Sequence, residues 1–406
     1  MKYKKEKADF DLITEVQKDF EKRKAARKAL ELQWQLNIDF YRGNQNNYIT
    51  KFDTVVSVGK QFYWQEREVF NHLAAMVEAR LGKLAVYKPE NSVIPESCME
   101  RAAMWAEITG TAFYKVVWDG GAGDVKIVVC SPFEIYPDNL TAEDLVECRS
   151  IIHAKVYCVS EIERLWGVVV GGQEIDVFDI SSSARKKRTT MENAAVVIER
   201  YERPTAARPN GRLVIVAGDK LLYKGDLPYV TELPFVRRCG ELAIGAIYGK
   251  CALERAVPVQ RALNAIKNRK TEFLNRLACG VLSVEEGSVD LESLENDGLA
   301  PGKVLVYRQG TSAPKFVDTG SLPAELEREE ERLLRELELI SGVISLRSFD
   351  NPNISGVALQ IMTEQENGRL ARTINQIKRS VDEVGEQVER LYKQFRRGKD
   401  ETAADD

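Results

Sequence analysis

The sequence predicts an α+β protein whose mixed first half is followed by long helices and a small β-containing insert. Strand-like periodicity begins at residue 111 and surrounds a glycine-rich turn at 119–123. Residues 357–396 place apolar side chains at alternating steps of four and three, the spacing of one helix face. Before this helix, residues 341–356 are polar and rich in Gly, Pro and Asn. Such a break is either an ordinary helix–helix turn or a loop presented to a partner.

Length and composition exclude several classes of protein. The chain has 406 residues, which by length suggests two or three domains. Its formal net charge of −4 gives no overall basic bias of the kind that a tight nucleic-acid binder shows. The sequence contains no run of roughly 18 or more apolar residues, so no transmembrane helix is predicted. The N-terminus lacks the apolar core of a secretory signal, so we expect an intracellular protein with no membrane partner.

Cysteines and histidines are too few and too scattered to predict a catalytic or metal site. The seven cysteines include no Cys-x-x-Cys pair, which indicates reduced thiols that mostly fill the core. A histidine-based metal site or a Ser-His-Asp triad would have to use His72 or His153, and we interpret both as structural. The sequence also lacks a P-loop, a nucleophile elbow and a dinucleotide fingerprint. We therefore expect no enzyme and no cofactor, and keep a motif-free enzyme as one hypothesis.

Residues 1–248 are predicted to form the α+β part of the chain. The glycine-rich turn at 119–123 lacks the spacing G-x-G-x-x-G and precedes a strand, so we interpret it as a hairpin turn rather than a phosphate-binding loop. Residues 1–30 hold ten Lys/Arg and six Asp/Glu, hence +4, which indicates a solvated face or a contact with a polyanion. The predicted helices are 9–41, about 62–84, 96–109 and 160–166, and the predicted strands are 111–118, 124–130, 146–157, 194–202, 212–217 and 220–224.

The second half alternates long helices with short polar segments. A basic helix at 249–278 carries seven Lys/Arg and two Glu, hence +5, and an acidic helix at 323–341 carries seven Glu and three Arg, hence −4. The insert between them, 280–322, has strand-like segments at 281–284 and 303–307. After the break, the heptad positions of the long helix are Leu370, Ile374, Ile377, Val381, Val384, Val388, Leu391 and Phe395.

Several short motifs occur in order along nearly the whole chain. They are Trp34 to Tyr41-Arg42-Gly43-Asn44-Gln45, Thr109-Gly110-Thr111-Ala112-Phe113-Tyr114-Lys115-Val116-Val117-Trp118-Asp119, Ser131-Pro132-Phe133 to Pro137-Asp138, Val197-Ile198-Glu199-Arg200-Tyr201-Glu202-Arg203-Pro204, Ile340-Ser341-Gly342-Val343 and Asn353-Ile354-Ser355-Gly356-Val357-Ala358-Leu359-Gln360. With the order of the elements, these motifs make the chain resemble the portal (head-to-tail connector) proteins of tailed bacteriophages.

The resemblance implies a homo-oligomeric ring of about a dozen subunits, a dodecamer, with wing, stem, clip and crown regions around a DNA channel. The chain departs from this plan at its C-terminus, where few residues follow the long helix and a substantial crown is not expected. The resemblance maps the wing to 1–248, stem helix 1 to 249–279, the clip to 280–322, stem helix 2 to 323–343, the tunnel loop to 344–356, the long wing or crown helix to 357–397 and a disordered tail to 398–406.

Three groups of residues are candidate functional positions under this mapping. Phosphate contacts dominate nucleic-acid affinity, so an acidic channel wall would keep translocating DNA loosely held. The candidates for the DNA-facing tunnel loop are Arg347, Ser348, Phe349, Asp350, Asn351 and Asn353. Those for the acidic channel wall are Glu325, Glu329 and Glu336, for which an ordinary solvated helix face is the alternative. Those for docking of a motor or adaptor at the clip are Glu285, Glu286, Asp290, Glu292, Glu295 and Asp297.

The opposite charges of the two stem helices also suit a ring, because each helix could pair with a neighbouring subunit. Pairing within one subunit is the alternative, and exposed ion pairs contribute only ~0–1 kcal/mol each. The resemblance implies a portal vertex in the virion, assembled in the host cytoplasm, that passes double-stranded DNA during packaging and ejection. Implied partners are the large terminase subunit, the major capsid and scaffold proteins, and tail adaptor proteins. An oligomeric tail adaptor or scaffold protein without DNA contact is the alternative function.

Overall fold

Eight helices and thirteen strands form the described part of the chain. The structure is a computed structural model that describes residues 2–50, 55–57, 59, 65–87, 92–177, 189–229, 232–279, 281–290, 292, 304–317, 320–343 and 356–402. The helices are α1 (Lys2–Ala26), α2 (Lys28–Arg42), α3 (His72–Ala85), α4 (Glu96–Thr109), α5 (Val159–Trp166), α6 (Ala252–Cys279), α7 (Ala324–Ser341) and α8 (Gly356–Thr402). The predicted α+β class is confirmed.

The strands fall into four antiparallel sheets. A six-stranded sheet has the order β10-β9-β8-β6-β5, with β7 also paired to β8, and a three-stranded sheet has the order β11-β3-β4. The pairs β1-β2 and β12-β13 complete the set in the described residues. The strands are β1 (Asn47–Ile49), β2 (Val55–Ser57), β3 (Thr111–Asp119), β4 (Asp124–Cys130), β5 (Ile135–Pro137), β6 (Ser150–Cys158), β7 (Gln173–Val177), β8 (Thr189–Glu202), β9 (Arg212–Ala217), β10 (Lys220–Gly225), β11 (Phe235–Cys239), β12 (Val281–Ser283) and β13 (Lys315–Val317).

The described chain divides into two compact units. Unit 1 comprises Met1–Ser57, Asn71–Val257 and Glu338–Asp406, and unit 2 comprises Val58–Phe70 and Pro258–Leu337. Unit 1 thus contains the two larger sheets and the long C-terminal helix. Unit 2 contains most of the predicted stem and clip residues.

The core of unit 1 has two main apolar clusters. One lies between α1 and the six-stranded sheet, where Val16 and Phe20 pack against Tyr136, Ile152 and Val214. The other joins α8 to α4 and the three-stranded sheet. Seven of the eight predicted heptad positions on α8 are buried in this cluster, and Phe395 is half-buried against it. The heptad seam therefore packs on a sheet of its own subunit.

The predicted helix at 9–41 is two helices that meet at Arg27. The Arg27 side chain is 1% exposed and lies over the Tyr136 ring, 3.4 Å from the ring centroid. Its guanidinium donates to the carbonyl oxygens of Pro132 at 2.7 Å and Phe133 at 2.6 Å, and to the Tyr248 hydroxyl at 2.9 Å. A buried cation is stable only when its donors are paired in this way. This contact holds the Ser-Pro-Phe segment against α1 and α2.

Three sequence predictions are corrected. The helix expected at about 62–84 begins only at His72, and residues 65–70 have no regular secondary structure. The strand expected at 303–307 is absent at 304–307, where Val304 and Val306 are exposed, and the partner of β12 is β13 instead. The tail expected to be disordered from 398 is instead helical as far as Thr402, because α8 continues without a break through these residues.

Candidate functional site

The basic and acidic helices of unit 2 are joined by an ion pair that centres on Glu330. The Glu330 carboxylate lies 2.7 Å from Lys270 Nζ and 3.6 Å from Lys267 Nζ. Burial by itself would raise the pKa of Glu330, but the hydrogen bond and charge of Lys270, with the charge of Lys267, hold that pKa below its usual value. The opposite charges of α6 and α7 are therefore partly used within the subunit. Glu330 was not among the residues predicted from the sequence.

A ladder of polar side chains on α6 binds the backbone of residues 65–70. We call it the side-chain ladder; it consists of Gln260, Asn264, Asn268 and Glu272, which are one helical turn apart. Asn264 accepts from the Phe70 backbone N–H, Asn268 from that of Glu68 and Glu272 from that of Glu66, each at 2.9–3.0 Å. Asn268 and Gln260 donate back to the carbonyls of Glu68 and Phe70. This pairing provides hydrogen bonds to the backbone of a segment that is in no strand pair among the described residues.

The predicted acidic wall residues lie on the exposed side of α7. Glu325 and Glu336 are exposed. Glu329 is partly exposed and accepts from Arg332 Nε at 2.7 Å. Because this pair is open to solvent, it adds little stability. The surface of α7 stays acidic because the helix carries seven Glu against three Arg. Whether that surface faces a channel stays a prediction.

The predicted clip presents exposed carboxylates next to a short β-ladder. Glu285 accepts from the backbone N–H of Ser312 at 3.1 Å and also from its hydroxyl, and these bonds lower the Glu285 pKa. Asp290 accepts from the Glu292 backbone N–H at 3.2 Å. Glu286, Asp290 and Glu292 are exposed, as is Glu285. Glu295 and Asp297 lie outside the described residues, and the docking role stays a prediction.

The six tunnel-loop candidates, Arg347, Ser348, Phe349, Asp350, Asn351 and Asn353, all lie outside the described residues. The chain on either side of them is described. Helix α7 ends at Ser341, and Gly342 follows with φ +71°, a left-handed conformation that favours glycine. Val343 is buried in the α8 cluster. The segment before the loop is therefore anchored in unit 1.

The two histidines have different surroundings. His72 is the first residue of α3 and is half-buried. His153 lies on β6 and is 3% exposed. Its Nε2 is 3.7 Å from Cys130 Sγ, and its Nδ1 is 3.2 Å from Glu199 Oε2. Burial by itself would raise the pKa of Glu199, but the charges of His153 and Lys115 hold it well below its usual value. Burial also raises the pKa of the Cys130 thiol, and the Glu134 carboxylate adds to this effect.

The structure brings Cys130, Glu134 and His153 together, although their spacing in the sequence matches no metal motif. One ligand atom from each residue lies within 4.8 Å of the others. Only the pairing of β5 with β6, which sets Ile135 opposite His153, places Glu134 near the histidine. The sequence carries no local signal for this cluster.

None of the described helices is both long enough and apolar enough to cross a membrane. This finding agrees with the charged surfaces of the longest helices, α6 and α8.

Comparison with known proteins gives one family. The model of the phage P22-like portal protein family matches residues 100–400, which is 301 of the 406 residues. No curated protein matches the chain. The match begins within α4 and continues through both larger sheets, the α6–α7 pair and nearly all of α8. Since a single family model covers about three quarters of the chain, the chain belongs to the phage P22-like portal protein family.

Proposed function

We propose that this chain forms the ring at one capsid vertex through which double-stranded DNA enters during packaging and leaves during ejection. Membership of the family supports part of this proposal: the chain is a portal, or head-to-tail connector, and a capsid-associated oligomer of the virion. Proteins of this family are generally structural rather than enzymatic. We further propose that the ring has about a dozen subunits, that it encloses a DNA channel and that it binds the partners named below.

The observation that carries the proposal is the distribution of charge between α6 and α7. Lys267 and Lys270 of α6 both pair with the single carboxylate of Glu330 of α7, which offsets one of their two positive charges. Glu325 and Glu336 remain exposed on α7. A surface that keeps its carboxylates and covers its lysines repels phosphates, which suits a wall that DNA must slide past without being held.

Residues 280–322 are proposed to dock first the large terminase subunit and then the tail adaptor proteins. The support is a set of carboxylates that solvent reaches, Glu285, Glu286, Asp290 and Glu292. No nucleotide-binding motif is present in the sequence, so ATP hydrolysis would belong to the separate motor. Contacts with the major capsid and scaffold proteins, and assembly in the host cytoplasm, follow from the same role.

Electron microscopy of the purified protein tests the ring. We expect closed rings with an axial hole wide enough for a DNA duplex. A monomer at high concentration, or a ring without an axial hole, would contradict the proposal. A tail adaptor or scaffold without DNA contact is the second candidate, and a ring whose charge-reversal variants package normally would favour it.

Charge reversal on α7 tests the wall. Glu325→Lys with Glu336→Lys should leave ring assembly unchanged and reduce the DNA packaged per capsid, because lysines would bind the passing phosphates. Glu389→Lys on α8, whose side chain is 74% exposed, is the matched control and should package normally. Nuclease-protected DNA per capsid is the measurement.

Deletion of residues 348–353 tests the tunnel loop. We expect rings that assemble normally but package or retain less DNA. If the deletion prevents folding, these residues form a structural turn and the loop assignment is wrong. Circular dichroism and ring counts on the same preparation distinguish the two outcomes.

A further inference from the structure

The cluster of Cys130, Glu134 and His153 lies where the two larger sheets of unit 1 approach each other. Cys130 is the last residue of β4 in the three-stranded sheet, and His153 is on β6 in the six-stranded sheet. Glu134 belongs to the short connection from β4 to β5. Cys130 is 1% exposed and His153 is 3% exposed, whereas Glu134 is half-buried. Three different kinds of metal-binding atom thus converge on one small region.

The histidine ring is oriented as in many metal sites. Its Nδ1 is 3.2 Å from Glu199 Oε2, and Glu199 also accepts from Lys115 Nζ at 2.5 Å and from the Tyr201 hydroxyl at 2.7 Å. A histidine that donates Nδ1–H to a fixed carboxylate presents the lone pair of Nε2, and metal-bound histidines are usually held in this way. Here Nε2 is directed towards Cys130, at 3.7 Å from Sγ.

We propose that Cys130, Glu134 and His153 bind one zinc ion that joins the two sheets. Zinc bonds of about 2.3 Å to sulfur and 2.0–2.1 Å to nitrogen, at a tetrahedral angle, require a sulfur–nitrogen separation of about 3.6 Å. The observed 3.7 Å between Cys130 Sγ and His153 Nε2 meets this requirement. The ligand atoms lie within 4.8 Å of one another, so the partly exposed Glu134 carboxylate must move inward by about 1 Å.

The charges of the site balance when zinc is bound. The Cys130 thiol gives its proton to solvent as its sulfur bonds to the metal, so the thiolate and the Glu134 carboxylate together neutralise the divalent ion. A water molecule fills the fourth position. The donor set of sulfur, nitrogen and oxygen favours zinc over magnesium and calcium, which prefer oxygen ligands alone. The carboxylate of Glu199, which contacts His153 and not the metal, is neutralised by Lys115.

One alternative arrangement gives the same distances without a metal. Lys115 Nζ lies 3.2 Å from His153 Nδ1. If Lys115 donates to Nδ1, Nε2 carries the ring proton and donates to the Cys130 sulfur. The cluster would then be a chain of hydrogen bonds, and the test below separates the two arrangements.

The test measures metal on the full chain. Protein purified without chelators is analysed for zinc by mass spectrometry, and apoprotein is titrated with Co²⁺, which shows a thiolate-to-metal charge-transfer band when a cysteine binds it. We expect one zinc per subunit and a cobalt band in the wild type. Both should be lost in Cys130→Ser and weakened at least tenfold in Glu134→Gln. A wild type without stoichiometric metal, or a band that persists in Cys130→Ser, would overturn the proposal.

Cys158→Ser is the matched control, because Cys158 is a half-buried free thiol outside the cluster. It should keep both the zinc and the cobalt band. If Cys130→Ser fails to fold, Glu134→Gln carries the test, since Glu134 is only half-buried. Zinc should also raise the melting temperature of the wild type, and raise that of Glu134→Gln by less at the same zinc concentration because the variant binds the ion more weakly. An equal rise in both would contradict the site.

Discussion

Arg80 donates from Nε to the Glu107 carboxylate at 2.6 Å, and both side chains are almost completely buried. The same guanidinium donates to the carbonyl of Ser341, the last residue of α7. One buried cation thus joins α3, α4 and the end of the helix that precedes the predicted tunnel loop.

Removal of this cation should be costly. Arg80→Ala leaves the Glu107 charge buried without its partner, and we expect a loss of about 3–5 kcal/mol in the free energy of unfolding. Arg335→Ala is the matched control, since Arg335 pairs with Glu331 at a solvent-exposed position and should cost at most ~1 kcal/mol. Chemical denaturation measures both. Equal losses in the two variants would show that the buried Arg80–Glu107 pair contributes no more to the free energy of unfolding than an exposed pair does.

The heptad seam of α8 should be the most sensitive part of that helix. Leu370 is 1% exposed in the cluster with α4 and the three-stranded sheet. Leu370→Ala should cost about 2–5 kcal/mol, because it removes buried apolar atoms and leaves a cavity. Ile361→Ala, on the same helix at 50% exposure, should stay within about 0.5 kcal/mol. Similar losses at both sites would contradict the packing of the seam.

Two glycines should respond to alanine in opposite directions. Gly110 ends α4 with φ +87°, and a Cβ there would clash with the carbonyl of Gly249, so Gly110→Ala should destabilise by more than about 1 kcal/mol. Gly82 is exposed within α3 with open space around it, and Gly82→Ala should stabilise by about 1 kcal/mol. Thermal unfolding should show a lower melting temperature for Gly110→Ala and a higher one for Gly82→Ala. A shift in the same direction for both would be inconsistent with these environments.

Acid should weaken the interactions of Glu202. Burial by itself would raise the pKa of Glu202, but the hydrogen bond from Arg212 and the charges of Arg200 and Arg208 lower it. A carboxyl whose folded pKa is below its unfolded value of about 4.3 stabilises the fold fully above that value. This stability is lost as the pH falls below it towards the folded pKa.

The measurement for Glu202 is the free energy of unfolding between pH 7 and pH 3. The wild type should lose more stability over this range than Glu202→Gln, which has no proton to gain. Glu389→Gln is the control at an exposed i,i+4 pair and should follow the wild type. If the free energy of unfolding of Glu202→Gln falls with pH as steeply as that of the wild type, Glu202 does not contribute to the loss of stability in acid.

Elements defined by local patterns were predictable from the sequence. Helix α4 matches its prediction at 96–109, and the β3–β4 hairpin forms around its glycine-rich turn. The α8 seam was also predictable, since a sustained step of four and three fixes one face. What the seam packs against was not encoded locally. The sheet that receives it contains β11, a short strand that the sequence did not single out.

The misses have a common physical cause, which is contact between residues far apart in the chain. Residues 65–70 were predicted as helix, but their backbone is paired by side chains some 200 residues away. The Arg80–Glu107 pair and the cluster at His153 likewise join separate segments. Val304 and Val306 show the reverse error, since their alternation suggested a strand that has no partner in the described residues. Because these contacts join distant segments, the residue types of each segment alone do not predict them.

The side-chain ladder on α6 and the segment that it binds have repeats of slightly different length. Two residues of extended chain advance about 6.6 Å, whereas one rung on the helix advances about 6.0 Å over four residues. The two repeat lengths differ by about 0.6 Å. The helix side chains and the backbone groups therefore stay aligned over three successive repeats and lose their alignment soon after. Because these hydrogen bonds go to main-chain atoms, they restrict the residue types at Glu66, Glu68 and Phe70 only by excluding proline. The Phe70 ring makes a separate contact with α6, since Lys267 Nζ lies 4.9 Å from its centroid. Geometry, not residue identity, therefore sets the length of the segment that α6 can hold.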